Sequence, residues 1–162
     1  MIRFHLVLLA LFLPIIAYAT SSYDWHQYSN LGFGATADVP NGWKQAEPPD
    51  NGDGLKFTSP NSEATVAIWG SFELGDGINY EAMTTPDTGE KITYNINKPK
   101  LVVISGTKGS NTFYRKHMLT CDKKVWISFE IKYPTSRKNN YAPILEHIAH
   151  SLHQVKKCSD FY

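Results

Sequence analysis

The sequence predicts one α+β domain, an antiparallel sheet of six to seven strands packed against a C-terminal helix. Three observations carry this reading. Val125, Ile127, Phe129, Ile131 and Tyr133 alternate with Trp126, Ser128, Glu130 and Lys132. A strict period of two marks a strand with one strongly apolar face. Past Pro134, residues Tyr141, Ile144, Leu145, Ile148, Ala149 and Leu152 recur on one stripe at helical spacing. Further short alternating runs are separated by Gly-, Pro- and Asn-containing turns, the kind of connection that joins antiparallel neighbours. A strand and a helix that are each apolar on one side need a common core, so the helix folds back onto the sheet.

The chain has 162 residues, 42% apolar and 19% charged, enough for one domain with a real core. Its first segment reads as an address. Arg3 is the only formal charge before Asp24, residues 4–16 are an apolar run, and Ala17-Tyr18-Ala19 has the small-x-small cleavage pattern. Residues 1–19 are therefore expected to be a secretory signal peptide, cut after Ala19. The alternative is an uncleaved anchor, but residues 4–19 fall short of the roughly 20 needed to span a bilayer. Residues 20–162 contain no second apolar run. The mature chain is thus expected in the periplasm or outside the cell, without a transmembrane segment.

The mature elements follow in order. Residues 23–30 read as a polar and aromatic lead-in. Phe33, Ala35, Ala37 and Val39 alternate as a first strand that Pro40 ends. Asn41-Gly42-Trp43 is a turn, and Asn51-Gly52-Asp53-Gly54 is a stronger one, since glycine accepts positive φ. Residues 55–59 and 64–69 are short strands. A short helix fits residues 78–84. Residues 91–97, 101–105 and 112–121 are strands, the last leading through Asp122-Lys123-Lys124 into the strand described first.

Cys121 and Cys158 are the only cysteines, so one disulfide is possible. Export permits it. It closes a loop of about 38 residues, for which chain entropy gives roughly 4 kcal/mol. Two buried free thiols are the alternative.

A family resemblance emerges from the order of several short motifs. Leu31-Gly32-Phe33-Gly34 precedes Asp38-Val39-Pro40, then Trp43, then the 50–54 turn and Phe57-Thr58-Ser59. Val103-Ile104-Ser105-Gly106 ends a strand, and Tyr133-Pro134 precedes a terminal helix that closes with Ser151-Leu152. This resembles small exported bacterial proteins of the PsbP-like superfamily over residues 27–153. The resemblance implies an αβα-type sandwich and a non-enzymatic accessory or partner-binding role. It carries over no individual site residue.

Candidate chemistry is sparse. Glu146, His150 and His153 fall within about 60° of one another on a helical wheel, a set that holds a transition metal or simply forms a solvated face. Aligning Gly54 with the invariant glycine of a calcium loop puts Pro49 and Pro60 at ligand positions, which excludes that motif. No cofactor is implied. Basic residues are not interleaved with aromatics as in a single-strand nucleic-acid binder, so no nucleic-acid partner is expected.

Charge is unevenly distributed. Residues 20–90 carry 11 acids and 2 bases, and residues 91–162 carry 4 acids and 13 bases. Either the halves neutralise each other, or the basic half offers a surface to an acidic partner. In the second case Lys116, Lys123, Lys124, Lys132, Arg137 and Lys138 contribute. On the sheet face away from the C-terminal helix, Trp69, Tyr114, Met118 and Trp126 are expected with Lys116, Glu130 and Lys132. That face is either an open partner site or a second core layer under a loop or the short helix.

The function these features favour is an exported, non-catalytic binding or accessory module for a protein or an anionic envelope component. A small apolar-ligand carrier comes second and requires an unfilled apolar cleft. A metal-dependent hydrolase comes third and requires convergent polar groups in a cleft.

Overall fold

The structure, a computed structural model, describes residues 23–75 and 77–161. The expected leader and its cleavage point lie outside the described residues. The strands are β1 (Trp25–Ser29), β2 (Ala35–Pro40), β3 (Lys44–Gln45), β4 (Gly54–Thr58), β5 (Thr65–Phe72), β6 (Glu90–Lys98), β7 (Leu101–Lys108), β8 (Asn111–Thr120), β9 (Val125–Pro134) and β10 (His153–Gln154). The helices are α1 (Ile78–Thr84) and α2 (Lys138–Ser151).

Seven strands make the main antiparallel sheet in the order β3-β4-β5-β9-β8-β7-β6, and β1, β2 and β10 form a second, small sheet. β9 is central because its odd-numbered residues bury fully: Val125, Ile127, Phe129 and Ile131 are each at 0% exposure. They share a core with Val66 and Ile68 of β5, with Ala35, Ala37 and Val39 of β2, and with Ile144 and Ile148 of α2. The helix and the small sheet thus cover one face of the main sheet together. Pro134 ends β9 and a single 3-10 turn, Thr135–Arg137, leads into α2.

Four elements depart from the sequence expectation: the two-residue strands β3 and β10, which carry no period to read, and β1 and β2. Residues 25–29, read as a lead-in, form β1 and pair with β2 from Trp25↔Pro40 to Ser29↔Thr36. The polar–aromatic mix of β1 has no clean alternation because this edge strand is mostly half-buried or exposed. Phe33 lies outside the strand. Asn30 and Gly34 close a tight turn (Gly34 N–H to Asn30 O, 2.7 Å) with Gly34 at φ 71°, so β2 begins at Ala35. Phe33 then packs directly over Gly70 of β5, where any Cβ would collide with its side chain.

The cysteines form the Cys121–Cys158 disulfide. It ties the β8–β9 turn to the 3-10 turn Cys158–Phe161, beyond β10. The C-terminal tail is thereby fixed to one end of the main sheet.

Candidate functional site

Strand register decides which residues share the second face. Trp126 of β9 pairs with Ser71 and Leu119, Ser128 with Trp69 and His117, Glu130 with Ala67 and Arg115, and Lys132 with Thr65 and Phe113. These residues form the face away from α2. α1 lies across part of it, with Tyr80 and Met83 packed on Val102, Ile104, Phe113 and Trp126. The short helix makes a second core layer there, and Trp126 is a core residue at 1% exposure. Two clefts remain beside α1.

The polar cleft, about 430 Å3, is lined by Trp69, Met83, Arg115, His117, Glu130 and Lys132 among others. Arg115 organises it. Its Nε donates to Glu130, its Nη1 and Nη2 to Glu90, and Nη2 also to Asp87 at 3.2 Å. The guanidinium lies 4.7 Å from the Phe113 ring centroid. Burial pushes the Glu90 carboxyl up, but the Arg115 hydrogen bond, the Asp87 backbone N–H and the Arg115 charge outweigh it, and the net shift is downward.

His117 sits beside this network at 3% exposure. Its Nδ1 lies 2.8 Å from the Ser128 hydroxyl, and its Nε2 is buried without a hydrogen-bond partner among the described residues. If Ser128 donates to Nδ1, only the Nε2 proton stays unpaired; the opposite tautomer leaves two groups unpaired. The Nε2–H tautomer therefore satisfies more of the site. Burial first, and the Arg115 charge second, depress the imidazole to about 4.

The apolar cleft, about 470 Å3, lies near the β8–β9 turn and is lined by Glu73, Gly77, Tyr80, Pro99, Leu119, Lys123 and Trp126. The Trp126 indole N–H donates to Glu73 Oε2. The Glu73 backbone N–H donates to the Lys124 carbonyl at 2.8 Å. Leu74 and Ile78, next in sequence to cleft residues, are 71% and 57% exposed.

The structure divides the expected partner surface. Trp69 and Lys132 line the polar cleft, and Lys123 and Trp126 the apolar one, with Lys124 adjoining through its carbonyl. Tyr114, Lys116 and Met118 do not belong to this face. They pair with Ile131, Phe129 and Ile127 and so face α2. Tyr114 packs on Phe129 with ring centroids 5.6 Å apart. Lys116 donates to the Ala149 carbonyl in the last turn of α2, capping a group that the helix itself leaves unpaired. Desolvation lowers its ammonium pKa. The expectation failed because both alternating sets of β8 contain an aromatic and a long cation, so hydropathy did not choose between them.

Arg137 and Lys138 stand at the start of α2, where Arg137 lies 3.7 Å from Glu63. Lys123 and Lys124 are at the other end of the β8–β9 hairpin, so the six basic residues do not form one patch. Part of the charge asymmetry is instead neutralised internally, since Arg115 and Arg137 pair with Asp87, Glu90 and Glu63 of the acidic half. On α2, His150 Nδ1 contacts the Glu146 carbonyl, while His153 lies past the helix on β10. Among the described residues no group of three His, Cys, Asp or Glu side chains is placed to hold a metal.

No protein-family model and no curated protein matches the chain. Solved structures do. Cyanobacterial PsbP (CyanoP) from Synechocystis sp. PCC 6803 superposes with a TM-score of 0.59, covering 86% of this chain and 97% of that one at 14% identity. The fold is PsbP-like. The Saccharomyces cerevisiae Ran-binding protein Mog1p superposes at 0.56, covering 83% of this chain and 97% of its own at 10% identity. At these identities the likeness lies in the PsbP-like architecture: an antiparallel sheet with α2 on one face and α1 on the other. The two clefts are described from this chain's own side chains.

Proposed function

We propose that this chain is an exported, non-catalytic accessory module that binds a protein partner at the end of the sheet bearing the apolar cleft. One observation carries the reading: a cleft floored by Trp126 and walled by Tyr80, Pro99 and Leu119, beside the exposed side chains of Leu74, after β5, and Ile78, at the start of α1. Buried aromatics with accessible apolar neighbours are where interfaces concentrate binding energy. That the same fold serves a Ran-binding protein in yeast supports a protein partner. The expected leader and the Cys121–Cys158 bridge support a secreted or periplasmic location.

Photocrosslinking tests this. A photoreactive residue at position 78 should yield a discrete protein adduct in the exporting cell, and one at position 138 should not. Adducts of equal yield from both positions, or lipid adducts alone from position 78, overturn it. Lipid adducts alone would instead identify an anionic envelope component as the partner.

The second reading, a carrier of small apolar ligands, is favoured by the size and lining of the same cleft, which fall within the range of small-molecule sites. It predicts that a neutral apolar dye binds stoichiometrically and that Leu119→Asp removes the binding.

A further inference from the structure

The apolar cleft contains a carboxylate whose surroundings constrain what fills it. Glu73 follows β5, with its backbone held by the Lys124 carbonyl. Oε2 accepts the Trp126 indole N–H, while Oε1 is buried and has no hydrogen-bond partner among the described residues. A carboxylate offers about four lone-pair sites, and one left unmet in an apolar setting is costly. Lys123 lines the same cleft but forms no ion pair among the described residues. The remaining walls, Tyr80, Pro99, Leu119 and the Trp126 ring, are apolar or aromatic.

We propose that the cleft receives a lysine side chain of the partner protein, its ammonium on Glu73 Oε1 and its four-carbon stem against Tyr80, Pro99 and Leu119. The inference rests on the partner-docking reading above and names the anchor. Its chemistry selects lysine over arginine. A guanidinium binds best when both carboxylate oxygens receive its fork, and here Oε2 is already taken by Trp126. An ammonium is a point charge with three rotatable donors, suited to a single free oxygen. A lysine stem also covers apolar surface while its head stays paired. Tyr80 and Trp126 add a cation–π contribution when the ammonium is desolvated.

The test is a titration of the intact protein with four short acetylated, amidated peptides, Gly-X-Gly, followed by the Trp126 indole N–H resonance. X is lysine, Nε-acetyl-lysine, norleucine or arginine. The expected result is a saturable shift with lysine, at least about tenfold tighter than norleucine or acetyl-lysine, and lost in Glu73→Gln. That variant keeps an oxygen for the Trp126 N–H, and the dispersion of its indole resonances verifies the fold. Equal binding of lysine and norleucine overturns the anchor while leaving an apolar cleft. Tighter binding of arginine overturns the choice of lysine. No shift with any peptide also overturns the anchor, and the crosslinking from position 78 then judges partner docking on its own.

Discussion

His117 and Ser128 face each other across β8 and β9, with Nδ1 and the hydroxyl oxygen 2.8 Å apart and both side chains buried at the edge of the polar cleft. The imidazole is depressed to about 4 there, below its ordinary value of 6.5. The unfolded chain therefore binds more protons than the folded one between those two values, and stability rises with pH across that window. It is fully present above about pH 6.5 and is lost as pH falls toward 4, by on the order of 3 kcal/mol. Urea denaturation from pH 7.5 to 4.5 should show this slope. The paired change His117→Phe with Ser128→Ala, which removes both partners together, should flatten it. An unchanged slope in the double variant would assign the effect to other groups.

Arg115 is the most connected side chain of the polar cleft, and three carboxylates depend on it. Removing the cation leaves Glu90 without its hydrogen-bonded partner and Glu130 with Lys132 alone. Arg115→Met should cost about 3 kcal/mol, the lower end of what breaking a buried pair costs, because Asp87 is largely solvated. Arg115→Lys should fall between, since an ammonium cannot serve Glu130 and Glu90 with the same fork. Equilibrium denaturation of the two variants gives the order. A methionine variant as stable as the parent would show that the network contributes no net stability.

The Cys121–Cys158 bridge anchors the tail that supplies β10. Replacing both cysteines by serine should lower stability by roughly 4 kcal/mol through chain entropy, or on the order of 10 °C in melting temperature. Hydrogen exchange should then show protection lost first at residues 153–161, and only later in β9. Uniform loss of protection would contradict a locally tethered tail.

Much of this fold was legible because one element, β9, had an unambiguous period and α2 repeated the same apolar demand at helical spacing. β4 to β9 followed from turn residues between alternating runs, whereas β3 and β10, two residues each, are too short to carry a period. β1 was not legible, because an edge strand that buries little carries little hydropathy signal. The candidate site was harder. Trp126 was identified as a second-face residue, but Glu73, Tyr80 and Leu119 were not joined to it. One clue was available: four residues, 121–124, separate the paired ends Thr120 and Val125, and counting back from them places Leu119 opposite Trp126. His117 and Arg115 were missed because β8 offers two equally plausible faces, and only pairing with β9 chooses.

The last prediction concerns the basic residues. β8 spans ten residues, so Lys123 and the Arg137–Lys138 pair are separated by roughly 30 Å at about 3.4 Å per residue. Screening acts over about 8 Å at physiological ionic strength, so the two ends act on a partner independently. Exposed charges chiefly set association rate rather than lifetime. If the partner docks its lysine at the apolar cleft, Lys123→Glu should speed its association several-fold, because an attracting carboxylate replaces a repelling cation beside the cleft. Arg137→Glu with Lys138→Glu should leave association nearly unchanged, costing at most the weak exposed contact to Glu63. Lys116 belongs in neither group. It caps α2 at Ala149, so Lys116→Ala should lower the melting temperature with no separate effect on association. Stopped-flow association across a salt series, with melting curves on the same variants, separates the three roles. A rate that responds to Arg137 and Lys138 but not to Lys123 would move the docking surface to the opposite end of the sheet.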